Sequence, residues 1–262
     1  MMKISFSKYH GTGNDFILID NRMLQWIPKQ EEIVHLCDRH FGIGADGLML
    51  LTAKPGYDFY MTYYNPDGKE STMCGNGGRC MIVFAQSLAL AGTETRFLAI
   101  DGEHTGKVVQ QDSVSLISLK MKDVIVDEIE TDHIFMNTGS PHYVIFKQEV
   151  EILDITGEAN EIRFSERFTD MGTNVDFVEV RDDHLFVRSY ERGVENETLS
   201  CGTGVTASVL AYALKNPSRR DFMDIKTRGG NLRVLYKQVG NSFSDIWLEG
   251  PAEMVFQGEI TI

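Results

Sequence analysis

The chain is poor in positive charge, with 25 lysines and arginines against 38 aspartates and glutamates and a net charge of −13. Such a surface repels phosphate backbones and anionic membranes, so neither a nucleic acid nor a lipid surface is expected as a partner. Long apolar runs are also missing. None approaches the length that spans a bilayer, and polar residues interrupt the opening MMKISFSKYHGTGND before a signal-peptide core could form. The expected location is therefore the cytoplasm. No CxxC pair occurs among the four cysteines, Cys37, Cys74, Cys80 and Cys201, and no Cys/His grouping has zinc-ligand spacing. A metal site is not expected, and in a reducing compartment the cysteines should be thiols.

What the chain does contain is itself, twice. Cys74 and Cys201 each open a C-G-x-G loop, 127 residues apart. Thr12-Gly13 matches Thr138-Gly139 and Tyr64 matches Tyr190, both at an offset of 126. Glu70 matches Glu197 and Gly102 matches Gly229 at 127, and Gly44 matches Gly172 at 128. Matches kept in order, with so little drift, indicate two homologous halves. These are residues 1–120 and 121–250, with a tail of about 251–262 expected to pack back on the first half. Like halves pair about a pseudo-two-fold axis, so the cysteine loops are expected to meet across a cleft.

Each half reads as strand-rich with one prominent helix. ISFSKYH, VSLISLKM, HLFVRSYE and FVEVR alternate apolar and polar residues. The segment 79–91 is apolar on nearly every face and is expected to stop at Gly92; its counterpart TASVLAYALKNP should stop at Asn216-Pro217. Helices apolar all round must be buried. The expected fold class is α+β, each half a curved, barrel-like mixed sheet wrapped around a central helix. Cys37 and Cys80, unmatched between the halves, read as core thiols.

Both Cys74 and Cys201 precede these helices. A helix start carries unpaired N–H groups and the positive end of the dipole, so a thiol there is expected to ionise below its ordinary value. The following glycines let backbone amides approach an anion such as a carboxylate. Two thiols on opposite sides of a carbon acid are what inversion at an α-carbon requires: one removes the proton, the other returns it to the opposite face. No cofactor is then needed. A turn with a buried thiol is the plainer reading of either loop alone, and a redox pair is a further one.

HGTGNDF at 10–16, NPDGKESTMCGNGGRC at 65–80, GSPHYV at 139–144, YERGVENETLSCGTG at 190–204 and the closing GPAEMVFQGEI together resemble the diaminopimelate epimerase family along essentially the whole chain. The resemblance implies a cytoplasmic, cofactor-independent homodimer that converts LL-2,6-diaminopimelate to the meso form, the penultimate step of lysine biosynthesis. It assigns Cys74 and Cys201 as the catalytic pair and places Gly75, Asn76, Gly202 and Thr203 around the α-carboxylate. Asn14, Asn65, Asn174, Glu191 and Arg192 match substrate-holding positions, and His142 matches a histidine that influences the thiols. By residue type alone, Asn14, Asn65 and His142 each sit in turn-like sequence, and Arg192 reads equally as a solvated charge. Two positions depart from the family pattern: Ser140 stands where many members have asparagine, and Gly47 where some have glutamine. These departures keep open a racemase of another amino acid, such as histidine. A two-lobed binding or redox protein is the reading from another class.

Overall fold

The computed structural model describes residues 2–111, 114–126, 128–216 and 220–262. The chain forms two units, 1–119 with 250–262, and 120–249.

The first unit contains strands β1 (Lys3–Gly11), β2 (Asn14–Asp20), β3 (Gly47–Thr52), β4 (Phe59–Tyr64), β5 (Glu70–Ser71), β6 (Glu94–Ala99), β7 (Gly102–Gln111) and β8 (Ser115–Lys120), with helices α1 (Gln30–Cys37) and α2 (Gly75–Ser87). β1 and β2 form a hairpin whose two-residue turn is Thr12-Gly13. Both turn residues have positive φ, 50° and 84°, the twist that matches a right-handed hairpin. β2 runs parallel to β3, and β3 antiparallel to β4. β4 pairs with β5 antiparallel and with β6 parallel, and β6–β7–β8 continue antiparallel. The run Phe16–Ile19 is buried at every residue because β2 is covered on both faces. Ile17 and Ile19 join Leu48 and Leu50 beneath α1. Phe16 and Met49 point the other way, toward Gly77 of α2.

The second unit contains β9 (Val124–Ile125), β10 (Glu128–Ile129), β11 (Ile134–Asn137), β12 (Pro141–Phe146), β13 (Asn174–Val180), β14 (His184–Glu191), β15 (Asn196–Thr198), β16 (Phe222–Thr227) and β17 (Gly230–Val239), with helices α3 (Ile155–Arg163) and α4 (Gly202–Lys215). β11 and β12 form the antiparallel hairpin, and β12 runs parallel to β13. β13 pairs antiparallel with β14. β14 pairs with β15 antiparallel and with β16 parallel, and β16 pairs antiparallel with β17. The order and sense of pairing repeat those of the first unit. The last strand, β18 (Ser242–Thr261), begins on β17 and ends along β1, so the final residues belong to the first unit. The fold class is α+β, as the sequence indicates.

Two expectations need correction. Each unit has a second, shorter helix: α1 covers β2 and β3, and α3 covers β13 and β14 through Ile155, Ala159, Val175, Phe177 and Phe186. The central helix of the first unit also spans Gly75–Ser87, not 79–91. It ends on Ala89, whose φ is +57°. The Leu90 amide then reaches back to the Ala85 carbonyl at 3.0 Å, a left-handed cap that needs no glycine at 92. In the second unit α4 ends at Lys215; Asn216 follows, and Pro217 lies outside the described residues.

Candidate active site

Cys74 caps the start of α2 and Cys201 caps the start of α4, both with extended backbone. The loops therefore occupy the same place in each unit. The second glycine of each loop has a packing role that sequence reading assigned to anion access. A Cβ on Gly77 would strike the methyl of Met49, and one on Gly204 would strike the Asp176 carboxylate and Ser189. Each helix start is pressed onto the sheet behind it; at Gly77 the neighbour is the flexible end of Met49, whereas at Gly204 it is an Asp176 carboxylate already held by His142 and Ser189.

Around Cys74 the side chains form one polar chain. The Cys74 Sγ lies 3.6 Å from Asn14 Oδ1. Asn14 begins β2 rather than sitting in the turn, and its amide donates to Asp46 at 2.8 Å. Asn76 is buried in the first turn of α2; its Oδ1 accepts from Arg79 at 2.9 Å and from the Thr12 hydroxyl at 3.4 Å, and its Nδ2 donates to Asn14 at 3.3 Å. Asp46 and Asp15 are in turn bridged by Arg39, at 2.7 Å to each. Burial alone would raise Asp15, but hydrogen bonds from Arg39 and Lys8 outweigh it and hold the carboxyl well below the usual range. The loop before Cys74 is fixed where the Met73 amide donates to Asp101, itself paired with His104. Asn65 lies in a tight turn, its amide donating to Lys69 and its carbonyl accepting from Gly68.

Around Cys201 the chain is different in kind. His142 is not in a turn: it lies in β12, fully buried, beside Asn174 on the parallel strand β13. Its Nδ1 is 2.7 Å from Asp176 and its Nε2 is 2.9 Å from the Thr203 hydroxyl. That hydroxyl is 3.4 Å from the Cys201 sulfur. Asp176, His142, Thr203 and Cys201 thus form a continuous hydrogen-bonded line. The Thr138 hydroxyl holds the Thr203 carbonyl at 2.9 Å, as Thr12 holds Asn76 in the first unit. Glu191 accepts from the Thr198 hydroxyl at 2.5 Å; burial pushes its carboxyl up. Asn174 accepts from the Arg192 amide at 2.8 Å, and the Arg192 side chain reaches the Met171 carbonyl. Arg192 is exposed, but it is tied back to its own unit.

The helix start does not decide the Cys201 thiol. Burial, and after it the carboxylates of Glu191 and Asp176, push it well above the ordinary value. Cys37 and Cys80 are buried thiols, each pushed up by burial to about 12. Ser140 is half-buried in the turn before β12, its carbonyl accepting from the Thr138 amide. Gly47 is buried at the start of β3, where a Cβ would lie 2.5 Å from the Tyr63 ring and 2.7 Å from the Tyr64 carbonyl. The ring fills the place a larger side chain would need. Sequence reading missed Asp176 and Arg79. Both carry a signal: Asp176 is the one acid in the Val175–Val178 run, and Arg79 is the one cation in an otherwise uncharged α2.

Among the described residues, no group of three or more His, Cys, Asp or Glu is placed to hold a metal ion. No helix among them is long and apolar enough to cross a membrane.

The family model described as diaminopimelate epimerase matches the chain at residues 6–121 and 134–255. The chain belongs to the diaminopimelate epimerase family. It is 48% identical to the diaminopimelate epimerase of Flavobacterium psychrophilum, over 97% of this chain and 98% of that one. It is 38% identical to that of Chlorobaculum tepidum, over 96% and 99%. Among solved structures, it resembles a Bacillus anthracis phenazine biosynthesis protein of the PhzF family, with a TM-score of 0.78, 15% identity and full coverage of both chains. A probable proline racemase from Agrobacterium radiobacter gives a TM-score of 0.74 at 13% identity, over 99% of this chain and 93% of that one. These structural likenesses show that the family's fold is shared with proteins of distant sequence.

Proposed function

We propose that the protein interconverts LL- and meso-2,6-diaminopimelate by passing an α-proton between Cys74 and Cys201. The observation that carries this reading is the equivalent position of the two thiols, each capping the buried helix of its unit, in a chain of this family. One cysteine, as thiolate, takes the α-proton and becomes a thiol. The other, as thiol, gives a proton to the opposite face and becomes a thiolate. Atoms and charge balance, and reversal needs only the exchanged roles. Gly75, Asn76, Gly202 and Thr203 would hold the α-carboxylate with helix-start amides, where developing carbanion charge is also stabilised. Glu191 would pair with an ammonium group, and Asn14, Asn65, Asn174 and Arg192 would hold the rest of the diamino-dicarboxylate. Arginine suits the distal carboxylate because its fork is bidentate. Ser140 would contribute a hydroxyl, while Gly47 would act through the Tyr63 ring it admits. His142, between Asp176 and Thr203, would tune Cys201.

The same reading makes the protein a cytoplasmic, cofactor-independent homodimer built from duplicated halves, acting in lysine and peptidoglycan precursor biosynthesis. Cys74→Ala and Cys201→Ala should each abolish epimerisation with the fold retained; normal turnover by either would overturn the two-thiol mechanism. Deuterium uptake at the α-carbon in heavy water should occur with diaminopimelate. Uptake with another amino acid instead, from a panel that includes histidine, would establish a racemase of that substrate. Carbonyl-trapping reagents should leave the rate unchanged, and sedimentation should give twice the chain mass.

A further inference from the structure

The polar chain beside Cys74 ends in an unusual group. Arg79 is fully buried, and its guanidinium contacts are Asn76 Oδ1 at 2.9 Å and the carbonyls of Gly75 and Pro251, each at 3.4 Å. Among the described residues, no carboxylate forms an ion pair with it. A buried charge without a counter-ion is strongly disfavoured, and the usual solutions are a partner or loss of the charge. Burial pulls Arg79 down, to about 10, which still leaves it a cation at neutral pH. Two cysteines lie near it on the same helix: Cys80, the next residue, and Cys74, the N-cap of α2. Cys80 is held as a thiol by burial. Cys74 is left as the partner that can become an anion.

The other charged groups toward Cys74 are already matched. Asp101, behind Met73, pairs with His104 at 3.1 Å. On the β1–β2 hairpin and beside it, Lys8 and Arg39 pair with Asp15, and Arg39 also pairs with Asp46. Elsewhere on the hairpin Lys3 pairs with Glu259 and Asp20 with Arg22, and Tyr9 and His10 are its other titratable groups. The second unit reverses the sign. The position equivalent to Arg79 is Thr206, whose hydroxyl donates to the Gly202 carbonyl at 2.9 Å. The charges toward Cys201 are the carboxylates of Asp176 and Glu191, with His142 bonded to Asp176.

We propose that Arg79 is a positioning residue: its guanidinium orients Asn76 and is the fixed counter-charge that makes Cys74, not Cys201, the thiolate of the free enzyme. The Arg79 hydrogen bond fixes Asn76 Oδ1, which turns the amide NH2 of Asn76 toward Asn14, the side chain beside Cys74. The duplicated halves thus carry opposite electrostatics, and the resting enzyme has one base and one acid already sorted. This inference rests on the two-thiol reading above, but its test does not use turnover.

Each thiol is labelled with iodoacetamide across a pH series, in substrate-free protein, and the two sites are followed separately by mass spectrometry. In the unaltered protein, Cys74 should be labelled with a lower pH midpoint than Cys201; an equal or reversed order would overturn the proposal. In Arg79→Met the Cys74 midpoint should rise by about one unit or more, roughly tenfold less thiolate at neutral pH, while that of Cys201 stays in place. Arg79→Lys should keep a low Cys74 midpoint. A folded Arg79→Met protein with an unshifted Cys74 midpoint would refute the assignment, as would equal shifts at both thiols, which a merely structural role predicts. Should Arg79→Met fail to fold, the order of the two midpoints in the unaltered protein decides the matter. Failure of epimerase activity would appear in the heavy-water assay and would leave these midpoints untouched.

Discussion

At Cys201 two effects oppose each other. The start of α4 favours an anion, while burial and the carboxylates of Glu191 and Asp176 disfavour it, and the second group wins. Glu191→Gln removes one negative charge, so the Cys201 labelling midpoint should fall by about one unit, with Cys74 unaffected. Labelling of the two thiols as a function of pH checks this. At this scale the sequence was informative about identity and silent about environment. Cys74, Cys201, Asn76 and Thr203 were legible from two short motifs. His142 reads as a turn residue because it follows Pro141, yet it lies in β12, since proline is tolerated as the first residue of a strand. Asp176 bonds His142 across 34 residues of sequence, a pairing set by the parallel register of β12 and β13 and by no local pattern.

At the scale of elements, the two central helices were found, and the end of α4 at Asn216, but α1, α3 and the bounds of α2 were not. An apolar stretch marks burial and cannot mark the first turn, where Gly75–Gly78 look like loop residues. In the folded chain they form the first turn of α2, with Gly77 lying against Met49 of β3 and Gly78 against Met73 and Leu119. The C-terminal end rests on Ala89 in a left-handed conformation, which an alanine adopts at a cost. Ala89 is exposed and loses no packing on truncation. Ala89→Gly should therefore stabilise the protein by about 1 kcal/mol, read as a higher urea midpoint. The loop before Cys201 is braced by Arg188, which meets Glu197 through two bonds of 2.6 Å and also caps the Val150 and Leu153 carbonyls. Glu197 is shared with Arg228 at 2.7 Å. Arg188→Met leaves Glu197 and those carbonyls short of donors, and should cost about 3 kcal/mol in urea unfolding.

For the molecule as a whole, acid is the vulnerable direction. Asp15, Asp101 and Glu128 are each held low in the folded state: Asp15 by Arg39 and Lys8 against burial, Asp101 by hydrogen bonds with His104 and the Met73 amide against burial, and Glu128 by Arg167 ahead of burial. A depressed folded value means stability that is present above the ordinary carboxylate value and lost as pH falls through the folded one. Asp15→Asn should thus lose about 2 kcal/mol at neutral pH, with the gap to the unaltered protein closing as pH drops below about 3.9. Unfolding curves at stepped pH test this.

By itself the sequence determined the duplication, the α+β class, the two thiols and the family, because repeated motifs and hydrophobic periodicity are local properties of the chain. Only the tertiary structure decided what surrounds each thiol. Arg79 reaches Asn76 from within α2, whereas Asp176, His142 and Glu191 come to Cys201 from three different strands. Charge acts through distance in space, and the sheet register, not the order of residues, sets that distance. Two loops that read as near-copies are therefore placed by the fold in fields of opposite sign.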